Sequence, residues 1–133
     1  MLKEDYLMRL FQLFTECLAK WLSKRKDDDF ELIVSFNNEV VEPYLGKDIE
    51  FFEKKELDEL LVYFQETYPN EQERLSRLEI LAELLYQSVL LENDPARRKC
   101  LSDKALKVFQ HIDKTDKTFS FSRQDRMAEL RQF

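Results

Sequence analysis

The stretch Glu79–Pro95, EILAELLYQSVLLENDP, decides the fold, because it joins a strongly apolar helix to a helix breaker. Its apolar residues recur at three- and four-residue steps and spread beyond one stripe, which predicts a helix over about residues 70–91. A helix that is apolar on more than one face is usually central. The ENDP sequence then predicts that Asp94 caps a following helix whose first residue is Pro95.

The rest of the chain also favours helices. It has 133 residues, of which 44% are apolar and 11 are phenylalanine, so a sizeable core is expected. It contains one glycine, Gly46, and three prolines, which leaves little material for β-turns and hairpins. We therefore predict an all-α, single-domain bundle of five to six helices over residues 1–133.

Apolar residues at helical spacing predict two helices in the N-terminal part of the chain. The first covers about Lys3–Arg25, and the second begins at the aspartates at 27–29. Pro43 disfavours helical geometry at the residue before it, so the second helix is expected to end there. In the connector that follows, Ile49 and Phe52 are expected to enter the core.

Two further helices flank the central fourth helix. The third is predicted over about Glu56–Tyr68, and the fifth over about Pro95–Lys114. The residues expected to face inward are those at helical spacing: Leu57, Leu60, Leu61 and Phe64 in the third helix, Leu101, Ala105, Val108, Phe109 and Ile112 in the fifth, and Met127 and Leu130 in a final helix.

The segment Asp116–Met127, DKTFSFSRQDRM, leads into this final helix. Ser122 followed three residues later by Asp125 resembles a capping box, so the helix is predicted to begin there. Phe119 and Phe121 would then lie on one side of an extended segment and turn toward the core. A buried joint is therefore favoured over an exposed aromatic binding site.

Charge is unevenly distributed along the chain. The net charge is −6, but residues 27–73 carry fifteen acidic and three basic residues, a net charge of −12. Either neighbouring helices compensate this charge, or the segment forms an acidic face that attracts a basic partner. Free nucleic acid would be repelled, so no nucleic-acid partner is expected.

The N-terminal part of the chain lacks the features of an export signal or a membrane anchor. Charged residues follow the start directly, so there is no uncharged signal region. The longest uncharged run near the N-terminus, Leu10–Thr15, is far below the roughly 18 apolar residues of a membrane span. We expect a cytoplasmic protein that has no membrane partner.

Several kinds of chemistry are excluded by what the chain lacks. One glycine cannot supply a P-loop, a dinucleotide fingerprint or a nucleophile elbow. The single histidine, His111, has Val108 three residues before it, so the Glu-x-x-His motif of di-iron bundles is absent. Cys17 and Cys100 lie on the apolar sides of predicted helices and are expected to be buried free thiols. No cofactor or metal is expected.

Glu79 and Glu83 are the acids that most suggest chemistry. They lie one turn apart on the central helix, near Tyr86. If unpaired among apolar neighbours, they would have raised pKa values and could bind a ligand or act as acid and base. A closed pocket with no arginine beside either acid would favour that site. The alternative is that they face solvent or pair with arginines, the candidates being Arg74, Arg77 and Arg123.

The fourth and fifth helices resemble one tetratricopeptide repeat. The spacing of Leu78, Leu81, Ala82 and Leu85 matches the first helix of that repeat, and Ala105–Phe109 matches the small-then-aromatic pair of the second. About eleven extra residues separate the two halves relative to the 34-residue unit. No second copy is evident, so the likeness concerns the packing of one helical hairpin.

Four motifs are similar to an uncharacterised bacterial family of small all-helical proteins with a tetratricopeptide-like shape. They are MLKEDYLMR at the start, LAELLYQSVLL in the central helix, KALKVFQHID in the fifth helix, and DKTFSFSRQDRM near the end. The resemblance covers both ends and the last hairpin, with a looser middle. It implies a helical fold and a bacterial origin, and it implies no activity.

The function that these observations favour is a non-enzymatic adaptor or protein-interaction module. A peptide or partner helix would lie in a groove between the first, fourth and fifth helices, lined by Tyr6, Trp21, Tyr86 and Phe109. Homodimerisation through that surface is a close variant. The alternative is a small-ligand-binding or hydrolytic protein with a buried carboxylate site on the fourth helix.

Overall fold

A computed structural model describes residues 3–24, 29–116 and 120–133 of the chain. Within these ranges every regular element is a helix and no strand occurs, which confirms the all-α prediction. In chain order, the elements are α1 (Lys3–Lys24), α2 (Asp29–Phe36), a π-helical segment (Asn37–Val41), α3 (Glu42–Leu45), α4 (Ile49–Lys54), α5 (Leu57–Thr67), α6 (Glu71–Leu91), α7 (Pro95–Thr115) and α8 (Phe121–Leu130).

The chain divides into two compact units, Met1–Phe52 and Glu53–Phe133. The predicted helices correspond to α1, to the continuous run from α2 through the π-helical segment to α3, and to α5, α6, α7 and α8. The connector forms the short helix α4, in which Ile49 and Phe52 are buried as predicted. That the chain is a single domain stays a prediction.

In the first unit, α1 packs through one apolar stripe. The buried residues of this helix recur at seven-, four- and three-residue steps: Leu7, Phe14, Leu18 and Trp21. The ring of Phe14 meets the ring of Tyr44 edge-on at 5.3 Å, and the ring of Trp21 lies 4.9 Å from that of Phe36. This stripe holds α1 against α2 and α3 within the unit.

The second predicted helix does not end before Pro43, so that expectation was wrong. The π-helical segment leads directly into α3, and Pro43 lies in the first turn of α3. Proline lacks the N–H that would donate to the preceding turn, and the helical run departs from α-helical geometry immediately before it, in the π-helical segment. Gly46, with φ at 81°, ends the helix, and its N–H donates to the carbonyl of Glu42 at 2.9 Å. Residues 25–28, which precede α2, lie outside the described residues.

The second unit is built around α6 and α7, which form a helical hairpin. Ten of the 21 residues of α6 are buried, and they include neighbours such as Leu84 and Leu85 that point in different directions. The carboxylate of Asp94 accepts a hydrogen bond from the N–H of Arg97 at 3.0 Å, and Pro95 occupies the first turn of α7. The central helix and the ENDP cap are therefore confirmed.

The last helix begins two residues earlier than predicted. The hydroxyl of Ser120, and not that of Ser122, accepts from the N–H of Arg123 at 3.2 Å and caps α8. Phe121 is consequently in the first turn of α8 and is 78% exposed, so its predicted burial was wrong. Phe119 lies outside the described residues. The inward face of α8 contains Met127 and Leu130, as predicted, and also Arg123.

Candidate functional site

Two of the four predicted groove residues lie on α1. Tyr6 is 42% exposed, whereas Trp21 is buried in the core of the first unit. The indole Nε1–H of Trp21 donates to the hydroxyl of Ser35 at 2.7 Å, which satisfies its polar edge inside that unit. Trp21 therefore acts in the core, and Tyr6 is the one of this pair that solvent can reach.

The other two predicted groove residues, Tyr86 and Phe109, are buried in the second unit. The hydroxyl of Tyr86 donates to the carboxylate of Glu129, and the guanidinium of Arg126 stacks 4.1 Å from its ring centre. Burial is the largest cause of the raised pKa of Tyr86, followed by its hydrogen bond to Glu129. Because the four residues are divided between two units, a groove lined by all four stays a prediction.

Glu79 faces α8, where an arginine meets it. Its carboxylate lies 3.6 Å from the guanidinium of Arg123. Burial raises the pKa of Glu79, the charge of Arg123 opposes that shift, and Asp116 adds to it. Arg123 was one of the arginines expected as a partner for these acids.

Glu83 is also paired with an arginine of α8. The guanidinium of Arg126 donates to both carboxylate oxygens, at 3.0 and 3.2 Å, in a bidentate arrangement. We call the contact between Glu79, Glu83 and Tyr86 of α6 and Arg123, Arg126 and Glu129 of α8 the α6–α8 seam. Both acids therefore have an arginine beside them, and the condition that favours a carboxylate ligand site is not met.

Arg123 is the centre of this seam and is only 5% exposed. Besides Glu79, it contacts Asp113 of α7 at 3.0 Å and Asp116 at 3.5 Å. Hydrogen bonds from Arg123 and Gln124 hold the pKa of Asp113 below its ordinary value. The sequence signal for this residue was its position four before Met127, on the inward face of α8. Buried and surrounded by acids, Arg123 ties three helices together.

A cleft lies on another side of the second unit, between α5 and α7. We call it the α5–α7 cleft. Its volume is about 330 Å³. Its apolar floor consists of residues that were predicted to face inward: Leu57, Leu60, Leu101 and Val108. Leu57 is only half-buried, whereas the other three are buried, so Leu57 is the apolar side chain that a ligand can reach most directly.

Lys104 crosses the cleft and holds α7 to the start of the second unit. Its ammonium donates to the backbone carbonyls of Glu53 and, at 2.6 Å, Lys55. Burial lowers the pKa of Lys104, the charges of Glu56 and Glu53 oppose that shift, and Lys107 adds to it. Lys104 therefore fixes the shape of the cleft and has two of its three donors in use.

The acids on the rim of the cleft also have partners within the unit. Glu53 pairs with Arg97 at 2.7 Å, and Asp103 pairs with Lys99 at 3.4 Å. The third rim acid, Glu56, takes part in a capping box at the start of α5. These charges stabilise the walls of the cleft. Lys107 is the one other charged residue among the described residues that line it.

The two cysteines are free, and their predicted burial was partly wrong. Cys17 is half-buried, and its thiol donates to the carbonyl of Glu39 at 3.2 Å. Cys100 is exposed and lines the α5–α7 cleft. His111 is half-buried, and burial, aided by Lys114, lowers its pKa. Among the residues described, no group of histidine, cysteine and acidic side chains is arranged to hold a metal ion.

Sequence reasoning missed the cleft, although it identified the residues of the floor. Helical spacing predicts which side chains face inward, but it carries no signal for inward positions that neighbouring helices cover incompletely. Lys104 and Lys107 gave the nearest hint, because each lies a few residues from an apolar floor residue of α7.

Comparison of the chain with protein-family models, with curated proteins and with solved structures yields no match. In the part of the chain that the structure describes, no helix combines the length and the apolar character that a membrane crossing requires.

Proposed function

We propose that this chain is a non-enzymatic protein-interaction module that holds a short segment of a partner protein in the α5–α7 cleft. The supporting observation is a cleft of about 330 Å³ with an apolar floor, formed within one unit. This volume is at the lower end of the roughly 300–1,000 Å³ of ligand sites, so it suits one or two apolar side chains of a peptide.

Binding is favoured over catalysis because the chemically active groups are engaged or isolated. Glu79 and Glu83 each form an ion pair with an arginine of α8. Cys100 lines the cleft, but no histidine is among the lining residues that the structure describes, so the cleft lacks the Cys–His pair of a thiol nucleophile. An apolar floor with charged walls is the arrangement expected for a site that recognises a peptide.

Selection from a library of short randomised displayed peptides tests this proposal. The wild-type protein is compared with Leu57→Asp, which places a carboxylate on the accessible part of the floor. Leu57 is the first residue of α5 and is only half-buried, so the substitution removes no fully buried side chain from the core. The matched control is Val62→Asp, which places the same charge at an exposed position of α5 that does not line the cleft.

We expect selected peptides to bind the wild-type protein and Val62→Asp, and to lose at least tenfold in affinity for Leu57→Asp, since a buried apolar anchor contributes more than about 1.4 kcal/mol. Circular dichroism and urea unfolding establish that both variants are folded. Peptides that bind all three proteins equally, or a selection that yields none, would overturn the proposal.

The small-ligand alternative on α6 has one observation in its favour, the raised pKa of the half-buried acid Glu79. That acid is nevertheless beside Arg123, and an engaged arginine lowers the capacity of a carboxylate to bind a ligand or take up a proton. A screen of small cationic compounds by thermal shift, with Glu79→Gln as the comparison, distinguishes the two. Stabilisation that depends on Glu79 would support the alternative.

The remaining expectations form part of the same proposal. A cytoplasmic location is compatible with described helices that include no membrane span. A bacterial origin is what the family resemblance implies. Homodimerisation is a variant in which a second copy is the partner, and light scattering coupled to gel filtration tests it. A tetratricopeptide-like role for α6 and α7 is supported by their hairpin arrangement.

A further inference from the structure

The charges on the rim of the α5–α7 cleft are not equally engaged. Glu53, Glu56, Asp103 and Lys104 each have the contacts described above. Lys107 is exposed and makes no hydrogen bond or ion pair with any residue that the structure describes. Lys107 is therefore a cation beside the apolar floor, and its ammonium is available to a ligand.

We propose that the partner segment carries one carboxylate next to its apolar anchor, and that Lys107 binds this carboxylate while the anchor enters the cleft. This inference rests on the proposed function. Lys107 lies on the same helix as the floor residues Leu101 and Val108. Two adjacent residues of a peptide can therefore reach the floor with one side chain and the ammonium of Lys107 with the other.

The surroundings of Lys107 favour an anion and disfavour a cation. Two of the acids that line the cleft, Glu53 and Asp103, are already paired with Arg97 and Lys99, whereas α7 contributes two lysines to the lining, Lys104 and Lys107. Lys107 already lies close enough to Lys104 to contribute to the lowered pKa of that residue. A basic partner residue would add a third positive charge here, whereas a carboxylate reduces the repulsion.

The opposite wall limits how acidic the partner can be. The acids Glu53 and Glu56 line the cleft opposite α7, and Glu56 caps α5. A run of several acids in the partner would be repelled by that wall, while one carboxylate directed toward α7 would not. The inference is therefore a single Asp or Glu beside a leucine-like residue, and not a polyacidic segment.

The same peptide selection tests this inference through a second readout. Peptides that depend on Leu57 are aligned, and the acids and bases beside the apolar anchor are counted. The selection is repeated on Lys107→Glu, with Lys114→Glu as the matched control, because Lys114 is an exposed lysine of α7 that does not line the cleft. We expect one acid near the anchor for the wild-type protein and for Lys114→Glu, and a base in its place for Lys107→Glu.

Affinities measured by fluorescence polarisation complete the test. In the tightest-binding peptide selected on the wild-type protein, the acid is replaced by its amide. This replacement is expected to weaken binding to the wild-type protein roughly two- to fivefold, as for an exposed ion pair. It should not change the affinity for Lys107→Gln, which lacks the cation. Peptides that depend on Leu57 but show no acid, or no coupling to Lys107, overturn this inference and leave the proposed function standing. A selection with no peptide dependent on Leu57 overturns both.

Discussion

The α6–α8 seam and the α5–α7 cleft use the same kinds of residues in opposite ways. In the seam, Arg123 and Arg126 each meet acids, and the aromatic ring of Tyr86 lies under one guanidinium. In the cleft, apolar side chains form a floor that α5 and α7 do not close over, and Lys107 is left with an available ammonium. The seam pairs its charges within the chain, whereas the cleft leaves a volume of about 330 Å³ open between α5 and α7.

A chain so rich in charge has many acids and bases close together, most of them without a functional role. Charged residues make up 36% of the sequence, so acids near one another are common and identify no site by themselves. What distinguishes a binding surface is an apolar floor next to a charge that the fold has not used. Substitutions in the α6–α8 seam should therefore lower the free energy of unfolding, whereas substitutions in the α5–α7 cleft should weaken binding of a partner.

The largest expected effect on stability is that of Arg123→Met in the seam. The variant leaves Glu79, Asp113 and Asp116 without their shared cation, and we expect it to lower the free energy of unfolding by roughly 2–3 kcal/mol. The loss is smaller than for a fully buried pair because these acids are partly exposed. Urea unfolding measures it.

The matched control for this change is Arg131→Met, since Arg131 is exposed at the end of α8. It should alter the free energy of unfolding by no more than about 0.5 kcal/mol. If both variants lose the same amount, Arg123 does not hold the seam together, and the contrast between the seam and the cleft is wrong.

The next effect compares two lysines of α7 that are three residues apart. Lys104→Met removes the donor to the carbonyls of Glu53 and Lys55 and should cost about 1 kcal/mol of unfolding free energy. Lys107→Met, which removes no internal contact, should stay within about 0.5 kcal/mol of wild type. Urea unfolding of both variants sharpens the comparison, and an equal loss would mean that Lys107 is part of the fold.

The smallest expected effect is a pair of opposite pH dependences within the seam. The pKa of Asp113 is lowered in the folded state, so its stabilising contribution is present above its ordinary value of 3.8 and disappears as the pH falls through the lowered value. The advantage of wild type over Asp113→Asn should therefore shrink on acidification below 3.8.

Glu79 should behave in the opposite sense, because its pKa is raised above the ordinary value of 4.5. Ionising this half-buried acid costs the folded state more than the unfolded state. The free energy of unfolding of wild type should therefore rise relative to that of Glu79→Gln as the pH falls through the raised pKa. Unfolding free energies across the acidic range measure both slopes. Two slopes of the same sign would contradict the assigned causes of the shifts.

The sequence was sufficient to predict the helices and most of their inward faces. The stretch around Leu84 and the ENDP cap identified the central hairpin, because apolar spacing and N-cap chemistry are local properties. Pro43 and Ser122 misled for a related reason. Each is a genuine local signal, but a π-helical segment before Pro43 and a second serine, Ser120, made another local solution possible.

The candidate site was less predictable, because it depends on how helices distant in sequence meet. Leu57 and Leu101 were correctly expected to face inward, yet 44 positions separate them, and no local pattern indicates that a gap remains between them. Arg123 was named as a partner for the acids, but its burial was missed, since a charged residue on an inward face is rare in general.

The most direct test of the central claim is to map the bound peptide by amide chemical shifts of the ¹⁵N-labelled protein. A peptide selected on the wild-type protein should shift resonances concentrated at residues 57–61 of α5 and 100–108 of α7, with little change in α8. Shifts concentrated in α8 or α1, with the amides around Leu57 and Lys107 unaffected, would show that the α5–α7 cleft is not where a partner binds.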